Sequence, residues 1–189
     1  AFLEGPVNEL CGMIDEWDIT HNQLKIPDTL WAFMKSEGFF GLIIPKKYGG
    51  KGFSAYAHAL ILSKLSGCSA SMASTVSVPN SLGPAELLLE YGTQAQRDYY
   101  LPRLAIGQDI PCFALTGPDV GSDASSMPDN GIICERMVNG EKVIGISLNF
   151  NKRYITLGPV ATVIGLAFRL FDPDKLMGKK ADLGITVAL

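Results

Sequence analysis

No stretch of this 189-residue chain comes near the roughly 18 unbroken apolar residues that a membrane-spanning helix requires. The N-terminus has neither the basic stretch nor the long apolar core of a secretory signal. Basic charge is scarce: 16 lysines and arginines against 19 aspartates and glutamates leave a net charge of −3, no electrostatic footprint for nucleic acid. Two histidines, His21 and His58, are too few and too far apart for a metal site, and none is expected. The four cysteines, Cys11, Cys68, Cys112 and Cys134, contain no Cys-x-x-Cys and read as buried reduced thiols. No Gly-x-Gly-x-x-Gly opens a helix within a strand–helix–strand unit, so a Rossmann nucleotide site is unsupported.

Apolar residues, by contrast, make up 47% of the chain. A compact chain of this size buries roughly 70% of its unfolded surface, so a sizeable core is feasible. The apolar surplus points to a partner surface or to a missing part of a larger protein. The start at Ala1 without methionine and the end at Leu189 inside the apolar run GITVAL favour the second, so a fragment is expected.

Residues 1–109 read as an all-helical bundle. Pro6 suits a first helical position, and Val7, Leu10, Cys11, Ile14 and Trp17 recur at 3–4 spacing on one face. Asp28 and Ser54 are placed to cap a second and a third helix, with Gly38 and Gly67 at their ends. Pro84 opens a fourth, stopped by Gly92, and Thr93 with Gln96 forms a capping box for a fifth. Residues 110–189 read as β structure: a short run from Pro111, a hairpin of Ile132–Val138 and Lys142–Leu148 around Asn139-Gly140, and strands over Val160–Leu170 and Gly184–Leu189. The predicted class is α+β, a helical domain over 1–109 followed by part of an antiparallel β-barrel or sandwich over 110–189.

Two motifs stand out. Phe113–Asp123, FALTGPDVGSD, places Thr116 and Ser122 among Gly117 and Gly121, which let backbone approach a ligand and adopt angles other residues resist. The same composition also makes an ordinary polar turn. Lys152–Thr156, KRYIT, would set Tyr154 and Thr156 on one face of a strand, a ring to stack on a planar heterocycle beside a hydroxyl. A half-buried strand with one wet face fits it equally.

The chain resembles the acyl-CoA dehydrogenase family along nearly its whole length. The resemblance rests on GFFGLIIPKKYGGKG, NSLGPAELLLEYGTQAQRDYYLPRLAIGQ, FALTGPDVGSD and KRYIT, in that order. Within the family it is most similar to the large bacterial long-chain members of fatty-acid degradation, notably in IPCFALTGPDVGSDA, NKRYITLGPVATVIGLAF and DLGIT. The resemblance implies an N-terminal helical domain, a middle β-domain and a C-terminal bundle, with FAD held between the last two. It implies α,β-dehydrogenation of medium- or long-chain fatty acyl-CoA in β-oxidation, with an electron-transfer flavoprotein as acceptor. A homo-oligomer at full length and a cytoplasmic location, with peripheral inner-membrane association, are implied too.

Carried across by position, Phe113, Ala114, Leu115, Thr116, Gly121, Ser122, Tyr154, Ile155 and Thr156 are the cofactor-binding residues. Ser122, Val78 and Leu82 are the substrate-binding ones. The catalytic glutamate of the family belongs to the C-terminal domain, so no catalytic residue is assigned here, and Glu86, Glu90, Glu135 and Glu141 read as solvated charges. Tyr154 stands where most members have tryptophan, Gly117 replaces a common acidic residue, and the loop from Ala124 to Arg153 is longer than usual. An acyl-CoA oxidase or flavin monooxygenase of the same fold is the alternative, and a non-enzymatic helical interaction module is a third reading.

Overall fold

The computed structural model describes residues 1–81 and 83–189. Six α-helices precede a five-stranded mixed sheet among these residues, the α+β class expected. The helices are α1 (Pro6–Met13), α2 (Asp28–Glu37), α3 (Ala55–Cys68), α4 (Ala70–Asn80), α5 (Pro84–Tyr91) and α6 (Gln94–Ala105). The strands are β1 (Pro111–Ala114), β2 (Asn130–Val138), β3 (Glu141–Asn149), β4 (Val163–Phe171) and β5 (Asp182–Ala188).

Contacts divide the chain into two compact units. One comprises Ala1–Cys112 with Thr156–Val163, the other Phe113–Ile155 with Ile164–Leu189. In the first, Val7, Leu10, Leu30, Met34, Phe39, Phe40, Leu65, Met72 and Val76 form the main apolar core. The local signals of the sequence are realised in several helices. The Ser54 hydroxyl accepts the Ala57 N–H, Gly38 ends α2 in the left-handed region, and Thr93 and Gln96 complete their capping box. Other expectations fail. Helix α1 stops at Met13 with Ile14 extended, and Trp17 is exposed ahead of a π-helical turn over Asp18–Gln23. Asp28 is the first helical residue rather than the cap, a place taken by Pro27. Helix α4 carries no such signal: its Ser-, Ala- and Val-rich sequence has almost no one-sided apolar period.

In the second unit, β2 and β3 pair antiparallel through all nine residues of each strand. Their turn places Asn139 at φ 53° and Gly140 at φ 84°, the two left-handed positions of a type I′ hairpin. The sheet order is β1-β4-β2-β3, with β5 also on β4. The antiparallel sheet expected from sequence is mixed, because Asn130–Ile132 of β2 runs parallel to Arg169–Phe171 of β4. Ala114, Leu166 and Phe168 form its core, joined by Ile155 and Leu170. A Cβ on Gly131 would stand 2.5 Å from the Phe168 ring, so that ring occupies the space a side chain would need. Val160 lies in a 3₁₀ turn over Gly158–Val160, so β4 begins at Val163, three residues later than expected.

Candidate functional site

The glycine loop begins where β1 ends. Ala114 is buried in the sheet core, Phe113, Leu115 and Thr116 are half-buried, and Gly121 and Ser122 are exposed. Neither Gly117 nor Gly121 lies at positive φ, so the expected conformational role is corrected. What Gly117 provides is closeness: a Cβ there would meet the Asn151 carbonyl oxygen at 3.2 Å. Gly121 faces open space. The loop closes on itself through the Gly117 N–H donating to the Val120 carbonyl at 3.1 Å. Beyond it, the Ser126 and Ser125 hydroxyls donate to Asp123 and hold its exposed carboxyl below the usual carboxylate range.

KRYIT is not a strand. Residues 150–155 form an irregular turn after β3, with Tyr154 at φ 59°. The strand expectation therefore fails at its basis, the alternation that put Tyr154 and Thr156 on one face. An aromatic residue in the left-handed region is a rare, strained arrangement that costs of order 1–3 kcal/mol and persists only where surroundings impose it. Burial is not what holds the ring there, since Tyr154 is 84% exposed. Arg153 lies against the ring, its guanidinium carbon 5.9 Å from the centroid.

Backbone and one buried ion pair hold this turn to the glycine loop. The Arg153 N–H donates to the Thr116 carbonyl at 3.1 Å. Lys152 Nζ donates to the Leu115 carbonyl at 2.8 Å and to Asp129 Oδ2 at 2.5 Å. Asp129 Oδ1 accepts the Asn151 N–H at 2.7 Å, and the Asp129 carbonyl accepts the Arg169 N–H of β4 at 2.9 Å. Thr116 and Tyr154, 38 positions apart in sequence, are thereby brought onto neighbouring backbone. The sequence reading missed Lys152 and Asp129. No local signal announces a pair separated by 23 residues; a lysine among polar residues at a strand end reads as a solvated charge.

The remaining site expectations divide by position. Ile155 packs against the sheet core, as Ala114 does, so the side chains of these two serve packing. Thr156 is exposed and belongs to the helical unit, as does Val78, which is buried in α4. Leu82 lies outside the described residues. Glu86, Glu90, Glu135 and Glu141 are surface residues, and Glu135 pairs with Lys142. No helix among the described residues is long and apolar enough to cross a membrane.

Comparison with known proteins gives this geometry a context. Residues 7–108 match the family model described as acyl-CoA dehydrogenase, N-terminal domain. An acyl-CoA dehydrogenase of Bacillus subtilis is 33% identical over 151 residues, 80% of this chain and 37% of that protein. The mitochondrial very long-chain specific acyl-CoA dehydrogenase of Mus musculus is 37% identical over 130 residues, 69% of this chain and 20% of its own length. Among solved structures, a glutaryl-CoA dehydrogenase from Mycobacterium smegmatis in complex with FADH2 superposes with a TM-score of 0.69 at 25% identity. That match covers 89% of this chain and 41% of the other. The chain thus spans well under half the length of these relatives.

Proposed function

The chain belongs to the acyl-CoA dehydrogenase family, and from that premise we propose that it supplies part of the FAD site of an enzyme oxidising fatty acyl-CoA thioesters. The observation that carries this reading is the Tyr154 ring, exposed and held in a strained backbone conformation beside the Thr116 loop. An exposed ring face is what a planar heterocycle needs for stacking, and strain of this kind clusters where a ligand is gripped. The chemistry of the donors fits as well: Thr116 and Ser122 offer hydroxyls, and the loop offers backbone where no bulky side chain intervenes.

Tyr154 would bear the ring system, with Phe113, Leu115, Thr116, Gly121 and Ser122 along its edge. Ala114 and Ile155 would act through backbone alone, and Thr156 would add a second hydroxyl. When bound, FAD would supply the acceptor for the hydrogen and electron pair leaving the β-carbon of the thioester. The part of this chain is to fix that group's plane and hydrogen-bond its rim. Ser122, Val78 and Leu82 are the proposed substrate contacts, and medium to long acyl chains the proposed substrates, in keeping with the very long-chain relative. An electron-transfer flavoprotein is the proposed acceptor, β-oxidation the proposed pathway and a homo-oligomer the proposed assembly. The α-proton requires a base, and no residue of this chain is proposed for that role.

The full-length protein is expected to purify with flavin absorbance. Ser122→Ala and Tyr154→Ala are expected to weaken flavin retention or raise the apparent KM by several-fold. Wild-type flavin content and kinetics in both variants would refute the assignment. Slow reoxidation of the reduced enzyme by oxygen is expected; rapid reoxidation would identify an oxidase instead.

A further inference from the structure

Lys152 and Asp129 are the most deeply buried ion pair among the described residues. Their side chains are 4% and 2% exposed, whereas each of the other four pairs has a partner at least 33% exposed. Withdrawing two charges from water is costly, and an apolar pair of similar volume is often as stable. Stability alone is therefore a poor reason for this pair. What charges add is direction: besides meeting each other, the two side chains reach separate segments of one small assembly. Lys152 Nζ reaches the Leu115 carbonyl, one residue before Thr116. Asp129 Oδ1 takes the Asn151 N–H, three residues before Tyr154. The Asp129 backbone carbonyl meets Arg169 of β4, which anchors the pair to the sheet. Between these ties, the Arg153 N–H meets the Thr116 carbonyl.

We propose that Lys152 and Asp129 are positioning residues that lock the glycine loop and the Tyr154 turn in the spacing the cofactor requires. The proposal rests on the reading that Thr116 and Tyr154 border the flavin. The role proposed for the pair requires no contact with the cofactor or the reacting atoms. The pair acts through the backbone on either side, and it imposes the left-handed conformation of Tyr154.

The decisive experiment uses the full-length holoenzyme and the double variant Lys152→Met/Asp129→Leu, which exchanges the pair for apolar side chains of similar size. The apoprotein melting temperature is expected to stay near that of the wild type. The FAD dissociation constant is expected to rise at least tenfold. The fluorescence of residual bound flavin, quenched in the wild type by the stacked tyrosine, is expected to increase. Wild-type FAD affinity and quenching in the double variant would overturn the proposal. Should that variant not accumulate as folded protein, Asp129→Asn decides. It keeps the shape and an acceptor for Asn151 while losing the charge, and FAD release at least three times faster is expected; an unchanged release rate overturns the proposal. Tyr154→Ala in the wild-type background separates the two levels of the argument. If it leaves flavin affinity and fluorescence untouched, the flavin reading itself fails. If it alters them while the pair variants do not, only the positioning role fails.

Discussion

Tyr154 combines an unfavourable backbone with an unburied side chain, and the two point the same way. A left-handed conformation costs an L-residue roughly 1–2 kcal/mol, a cost glycine escapes. At 84% exposure the ring returns little by burial to offset it. Tyr154→Gly is therefore expected to leave stability level or raise it by up to about 1 kcal/mol, the relieved strain being set against the greater freedom of glycine in the unfolded chain. The same substitution removes the stacking face and is expected to weaken flavin retention. Chemical denaturation of the apoprotein and FAD titration read the two effects separately. A stability loss above about 2 kcal/mol would mean that the ring is structural and the strain incidental.

Asn80 shows how one side chain can join elements that pattern alone leaves unconnected. It ends α4 and is buried, with its Oδ1 accepting the N–H groups of Leu42 and Ile43 at 2.8 and 3.3 Å. Its Nδ2 donates to the carbonyls of Phe39 and Val76 at 2.7 and 2.8 Å. The segment 39–43, which holds the 3₁₀ turn Phe39–Gly41, is thus tied to α4 by three bonds through one amide, the fourth returning to α4 itself at Val76. Asn80→Ala orphans buried backbone groups that cost about 1–3 kcal/mol each, so a loss of at least 2 kcal/mol in urea unfolding is expected. A smaller loss would mean that water reaches the vacated space. Elements like these mark the limit of what was legible. Thr93-x-x-Gln96, Ser54 and Asn139-Gly140 act within a few residues, and their structures follow from those residues. Helix α4 has no amphipathic period, and the KRYIT turn takes its shape from Asp129 and Leu115 rather than from its own composition. The loop and the turn could each be singled out as candidate ligand contacts, but the buried pair joining them could not.

At the scale of the whole chain, the helical unit is not contiguous in sequence. The chain leaves it at Cys112, builds the hairpin, and returns with Thr156–Val163 before entering β4. The return is closed by polar contacts around Asp109. Arg103 donates to both carboxylate oxygens, at 2.6 and 3.3 Å, and the Thr162 hydroxyl donates to Oδ1 at 3.1 Å while accepting the Ile110 N–H at 3.0 Å. The Ile110 carbonyl accepts the Thr162 N–H at 2.9 Å. The hydrogen bond from Arg103, followed by that from Thr162, holds the Asp109 carboxyl below the ordinary aspartate value of 3.8, against an upward push from burial. A carboxyl whose pKa is lower folded than unfolded stabilises the fold above the unfolded value, and the contribution fades as pH falls from there through the folded value. The unit is thus expected to lose part of its closure below about pH 3.8. Asp109→Asn tests the assignment, because asparagine carries no charge at any pH and approximates the protonated aspartate. The urea midpoints of wild type and variant should differ at pH 6 and converge as pH falls below 3.8. Parallel curves down to the acid limb would place the acid-sensitive closure at another carboxylate, such as Glu16 beneath Ser69 and Ser71.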